Sequence, residues 1–239
     1  MTLKIKHLVL PVFLMVFQTA NAQLDFSSTN NGRVMLFTDQ NGVSLLKSRY
    51  SPDIEGNPFV SPVWNPAELL LSSGKLLKWA RVKLNLESNE IYFLDTLDMA
   101  LVAKPGLVKK LNFPQLVSPE GTAYIFKCGY PVIDKQTENY YYQVLEEGKI
   151  ELLKKLSKEI KTTKYDMSGE IKKEFVENSH YYLFTAGEIK EIKQDKAVMM
   201  EIMKDKNTEM EQFLSINKIN FRKIADLRKL IRYYNDLTK

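Results

Sequence analysis

Cys128 and His180 are where any nucleophilic mechanism in this chain would have to start, because it holds one cysteine and, apart from His7 near its beginning, one histidine. A thiol–imidazole pair works when the ring withdraws the thiol proton and leaves a thiolate to attack. Cys128 closes the run Tyr124 to Cys128, which reads as a strand, and there a free cysteine behaves as a small apolar residue. His180 stands just before Tyr181 and Tyr182 at the start of another strand-like run. No local cysteine-hydrolase motif surrounds either position.

Metal and phosphate chemistry have less to work with. One cysteine and one histidine do not make the usual zinc sites, and there is no acidic loop of the kind that wraps calcium. Glycine-rich phosphate cradles and the strained serine elbow of hydrolases are both missing, so the expectation is no cofactor and no metal. A carboxylate pair remains open as an enzymatic alternative. For contact with a ligand or partner the candidates are aromatic: Trp64, Tyr140, Tyr142 and Tyr181, each offering a flat apolar body, the tyrosines with a polar tip. Neighbouring strand positions face opposite ways, so half of each tyrosine cluster belongs to a core.

The start of the chain places these residues in a compartment. Lys4 and Lys6 precede an apolar run from Leu8 to Phe17, and Ala20 and Ala22 flank Asn21 in the small-x-small pattern of a signal-peptidase site. The expectation is a cleaved signal over 1–22, a mature start at Gln23, and a periplasmic or secreted protein. The run is about half the ~20 residues that a spanning helix needs, and no later segment comes closer, so no transmembrane segment is expected after cleavage. Gln23, not cysteine, stands directly after the site, which removes lipid attachment. One cysteine also removes an internal disulfide, so stability must come from packing.

Of the 239 residues, 44% are hydrophobic and 11% aromatic, too rich for a disordered chain. The formal net charge of +5 includes the two lysines of the signal, and the remainder forms no block of like charge, so no nucleic-acid partner is expected.

Proline divides the mature chain. Eight prolines lie from Pro52 to Pro131 and none after, which permits long regular elements only in the later part. Arg33 to Thr38 and Val43 to Tyr50 flank an Asn41-Gly42 turn, a hairpin signal. Val82, Leu84 and Leu86 alternate with polar residues, and Glu90 to Asp95 returns after Ser88 and Asn89, a second hairpin. Prolines around Trp64 predict an extended loop, and Thr122 to Cys128 one more strand. The hairpins Tyr142–Ile150 and Tyr181–Ile189 match at tyrosine, glycine (Gly148, Gly187) and isoleucine, a weak internal echo.

From Asp195 the period becomes helical. Asp195 is a candidate cap for a face of Val198, Met199, Ile202 and Met203; Thr208 and Glu211 have capping-box spacing. Asn220 is placed to cap a last helix whose stripe is Ile224, Leu227, Ile231 and Tyr234, with Arg222–Asp226 and Arg232–Asp236 pairs on its wet side. The whole reads as α+β: an antiparallel sheet of hairpins over 23–193, then C-terminal helices over 194–239 packed on it.

The stretch around Pro58, Phe59 and Trp64, the run Val82 to Glu90, the segment Tyr140 to Lys154 and the ending Leu230 to Asn235 resemble a group of uncharacterised exported proteins of Bacteroidota. The resemblance implies a cell-envelope setting and carries no activity. The expected role is an exported, non-catalytic accessory or binding protein with an unknown protein or small-molecule partner; the alternative is a periplasmic enzyme using Cys128 and His180 or a carboxylate pair.

Overall fold

The computed structural model describes residues 53–165, 171–193 and 195–239, together with the backbone of a two-residue strand, β1 (Met35–Leu36). The expected signal segment lies outside the described residues, and of the first expected hairpin only β1 is described; it pairs antiparallel with Leu101 and Val102. The other strands are β2 (Ile54–Glu55), β3 (Asn65–Leu71), β4 (Leu76–Asn85), β5 (Glu90–Leu94), β6 (Ala100–Val102), β7 (Val108–Val117), β8 (Ala123–Lys127), β9 (Tyr142–Glu146), β10 (Ile150–Lys164), β11 (Ile171–Thr185) and β12 (Glu188–Glu191). Three helices come after them: α1 (Lys196–Ile202), α2 (Asn207–Ile216) and α3 (Ile224–Leu237). Among the described residues no helix is long and apolar enough to cross a membrane.

The fold is α+β, but hairpins alone do not make its sheet. Eleven strands run in the order β1-β6-β5-β4-β3-β7-β8-β9-β10-β11-β12, and β2 joins β11 in parallel, so the sheet is mixed. β3 to β6 wind outward as a meander; the chain then crosses to the far side of β3 and winds the other way from β7. That crossing uses only residues 103–107, and Leu107 N–H turns back onto Lys104 O at 3.1 Å. Strands spaced about 4.8 Å apart would set β6 and β7 about 19 Å apart in a flat sheet, nearly the extended reach of the connection. A turn within it leaves too little chain, so the sheet rolls. The roll is tied shut where Lys158 N–H on β10 donates to Leu86 O beyond β4, at 3.2 Å.

Two cores occupy one face of this sheet. The first fills the roll, with Val82, Leu84, Phe93, Leu111, Phe113, Phe126 and Leu156 among its members. The second lies between β9–β11 and the helices, where Leu152 and Leu183 meet Met199, Met203, Met210, Leu227, Leu230, Ile231 and Tyr234. On the opposite face a tyrosine-rich cluster gathers Tyr130, Tyr142, Val144, Leu153 and Tyr182. Alternation along β10 explains the division: Leu152 and Leu156 point into the two cores, Leu153 points away, and Lys154 fills the seam between the cores.

The helical readings hold in part. Asp195 caps α1, its Oδ1 accepting from Ala197 N at 2.8 Å and Val198 N at 3.2 Å. The stripe of α3 is buried as expected, although Val198 of α1 turns to solvent. No capping box forms at Thr208, because α2 starts one residue earlier and Asn207 Nδ2 bonds Glu211 instead. Asn220 does not cap α3 either: Lys223 is its N-cap, and Asp226 reaches back to Asn220 N–H at 3.1 Å. Arg232 turns from Asp236 to Glu146 of β9, at 2.6 Å, since a carboxylate on the sheet below ties helix to sheet.

Candidate functional site

Three separate segments converge on one cavity of about 680 Å³ at an end of the roll. The entry to β5 supplies Ser88, Asn89, Glu90 and Ile91, the connection leaving β6 supplies Val102 to Pro105, and the approach to β9 supplies Thr137, Asn139 and Tyr141. Ile91, Ala103 and Tyr141 also belong to the core of the roll, so the floor is apolar and continuous with it. Its rim is polar.

Local chemistry fixes that rim. Asn89 adopts φ +56, which asparagine tolerates, and its amide bridges outward: Oδ1 accepts from Tyr141 N at 3.0 Å and Nδ2 donates to Asn139 O at 3.2 Å. Glu90 Oε2 accepts from Ser88 Oγ at 2.7 Å and from Tyr92 OH at 3.0 Å. Opposite, Gly106 sits at φ +77, which strains any other residue, and a Cβ there would come within 2.8 Å of Asn139 Oδ1 and push that side chain aside. An apolar floor with Glu90, Lys104, Ser88 and Asn139 among the polar residues of its lining suits a small molecule with an apolar body and polar groups.

Cys128 and His180 are not brought together. The thiol is buried in the core of the roll and points at Val108 O, 3.2 Å away, an oxygen that Tyr141 OH also reaches at 2.8 Å. Burial pushes the Cys128 pKa up, so the thiol keeps its proton. His180 lies on the exposed part of β11 with Nδ1 3.2 Å from Glu191 of β12. Among the described residues no group of three or more histidine, cysteine, aspartate or glutamate side chains is arranged to share a metal ion.

The aromatic candidates scatter. Trp64 is half-buried, with Lys83 Nζ 5.0 Å from its ring and 5.0 Å from that of Phe59. Tyr140 donates to Leu156 O at 3.2 Å and packs edge-on against Tyr142, their centroids 5.1 Å apart. Tyr142 is 1% exposed, and burial first, then Asp134, pushes its hydroxyl up to about 12; among the described residues that hydroxyl has no hydrogen-bond partner. Tyr181 packs under the helices, on the opposite face from Tyr142. The echo of two hairpins therefore fails in three dimensions: Tyr142 and Ile189 lie on one face, Tyr181 and Ile150 on the other.

Neither a protein-family model, a curated protein nor a solved structure matches this chain. The cavity was missed in the sequence because its residues look like ordinary turn chemistry. Ser88-Asn89 reads as a hairpin turn and Pro105-Gly106 as a loop, and only the rolled sheet sets them against Asn139.

Proposed function

We propose that this chain is an exported, non-catalytic binding protein of the cell envelope, and that its ligand is a small molecule held in the cavity between the entry to β5, the β6–β7 connection and Asn139. The supporting observation is the cavity itself: about 680 Å³ falls within the range of small-molecule sites, with an apolar floor and a few convergent polar groups. Glu90, held by Ser88 and Tyr92, and Lys104 supply the charged groups of the lining that would orient a ligand's polar end. The envelope setting rests on the charged start, apolar run and Ala20-x-Ala22 pattern.

Native mass spectrometry of protein purified from its own envelope tests this reading. The parent should carry a small-molecule adduct that is released on denaturation. Thr137→Trp, which fills the mouth from an exposed position, should reduce its occupancy at least about tenfold, and Glu90→Gln should reduce it less. A parent without adduct, or an adduct indifferent to both changes, overturns the proposal.

A further inference from the structure

An apolar, cationic patch sits on the outer face of the roll, and a pair of bulges creates it. Along β4, Ala80 pairs with Ala67 and Leu77 with Leu69, so Lys78 and Trp79 together oppose the single residue Glu68. Bulges of this kind turn two consecutive residues to one side. Trp79 accordingly points outward, 66% exposed, with its backbone at φ +62. That region is costly for a bulky side chain, and such strain persists where function demands the geometry. Next to it Leu70 pairs with Leu76, both exposed. On β7, Leu70 faces Lys110 and Leu71 faces Val108, so Lys109 is the extra residue of a second bulge and also turns out. The β5–β6 turn is tied to β4 by an ion pair of Arg81, two residues beyond Trp79, with Asp98, and Leu97, 75% exposed, and Met99 are both exposed in that turn.

The charges around these apolar groups are mixed, with a small cationic excess: Glu68, opposite Lys78 and Trp79, accepts from Asn112 Nδ2 at 3.1 Å, and Asp95 of the β5–β6 turn accepts from Leu97 N and Met99 N, each at 2.8 Å. Arg81 is neutralised by Asp98 and Lys110 by Glu147, but Lys75, Lys78 and Lys109 have no ion-pair partner among the described residues. An indole and leucines flanked by free lysines complement a surface that is apolar within and negative at its boundary.

We propose that this face, formed by the β3–β4 hairpin, Lys109 and the β5–β6 turn, docks on a bilayer containing anionic lipid, with Trp79 inserted at the headgroup level. This is independent of the cavity: the protein can bind its ligand and fail here, or the reverse.

The test uses the full-length mature chain carrying Trp64→Phe, so that Trp79 is the sole indole, and vesicles of phosphatidylcholine with or without phosphatidylglycerol. Emission should move to shorter wavelength with the anionic vesicles and stay unchanged with phosphatidylcholine alone. Lys75→Glu, Lys78→Glu and Lys109→Glu combined should weaken vesicle partition roughly a hundredfold. These side chains are exposed, and a circular-dichroism spectrum matching the parent shows the variant folded. Trp79→Ser should weaken partition in flotation without lowering the melting temperature. No shift, an equal shift with neutral vesicles, or partition untouched by charge reversal overturns the proposal. So does a shift that appears with rising protein concentration and no vesicles, which would assign the patch to a second copy of the chain.

Discussion

The two cores on one face of the sheet are closed by different means. In the first the sheet rolls over its own side chains; in the second it stays open and is covered by α1 to α3. The helical cover is cross-tied at every level. Asn235 of α3 accepts from Ile150 N at 2.9 Å and donates to Ile150 O at 2.8 Å, and Gly148 permits this approach, since a Cβ there would lie 2.4 Å from Asn235 Cγ. Arg228 and Arg232 both clasp Glu146. A roll has ends, and among the described residues none of the helices contributes to its core. The cavity lies at one end and the exposed patch on the outer wall, so both sit where the sheet closes by curvature.

The largest expected effect breaks the helical cover. Leu227 is fully buried beneath α3, and truncation to alanine should cost about 2 to 5 kcal/mol through lost transfer energy and a residual cavity. Denaturant titration reads it as a lower midpoint. Cavity binding in the surviving folded fraction should be unchanged, because the cavity lining shares no residue with the helical core. An unchanged midpoint would show that α3 is no structural cover and would dissolve the contrast.

A second change acts at the seam. Lys154 is 5% exposed between the cores and bonds Glu120 Oε1 at 2.7 Å, while Arg228 donates to Glu120 O. Burial works to raise the Glu120 pKa, but Lys154 and the other hydrogen bonds together outweigh it and hold the carboxyl below its usual value. An acid lowered on folding contributes stability above the ordinary carboxylate range, and that contribution is lost as pH falls through the lowered value. Lys154→Met reverses the sign. Glu120, buried without its cation, should titrate higher than usual and destabilise the fold at neutral pH. Removing one partner of a fully buried pair costs about 3–5 kcal/mol, and partial solvent access at Glu120 brings the expected loss nearer about 2 kcal/mol. The gap between parent and variant should narrow as pH is lowered from about 7 to about 4. A gap independent of pH would mean that the seam is held by packing alone.

The legible and the hidden parts of the sequence divide along the same line. The stripe Ile224, Leu227, Ile231 and Tyr234, the Asp195 cap and the hairpin from Val82 to Leu94 all rest on neighbours within a few residues, where periodicity and turn chemistry act directly. The roll does not. β3 takes β7 as its second neighbour across some forty residues, and the cavity joins segments near 90, 104 and 139. The matching hairpins misled for the same reason: register, not motif, decides which face a tyrosine takes, and Tyr142 and Tyr181 took opposite ones. The outer half of β10–β11, rich in lysine, glutamate and threonine, lacks an apolar phase from which its length could be read.

The smallest effect should also be of opposite sign, and it addresses the wall of the roll. Asn89, Asp98 and Asp134 hold positive φ without difficulty, as their short polar side chains allow, whereas Trp79 does so at φ +62. A left-handed backbone costs an ordinary L-residue roughly 1–2 kcal/mol, and the exposed indole recovers little of that by packing. Trp79→Asn should therefore stabilise the isolated protein, by up to about 1 kcal/mol, visible as a small rise in denaturant midpoint. If the change stabilises the chain and also abolishes vesicle binding, the strain is retained for the surface it presents. A lower midpoint would mean instead that the indole packs on the roll, and the apolar patch would then belong to the architecture of the wall.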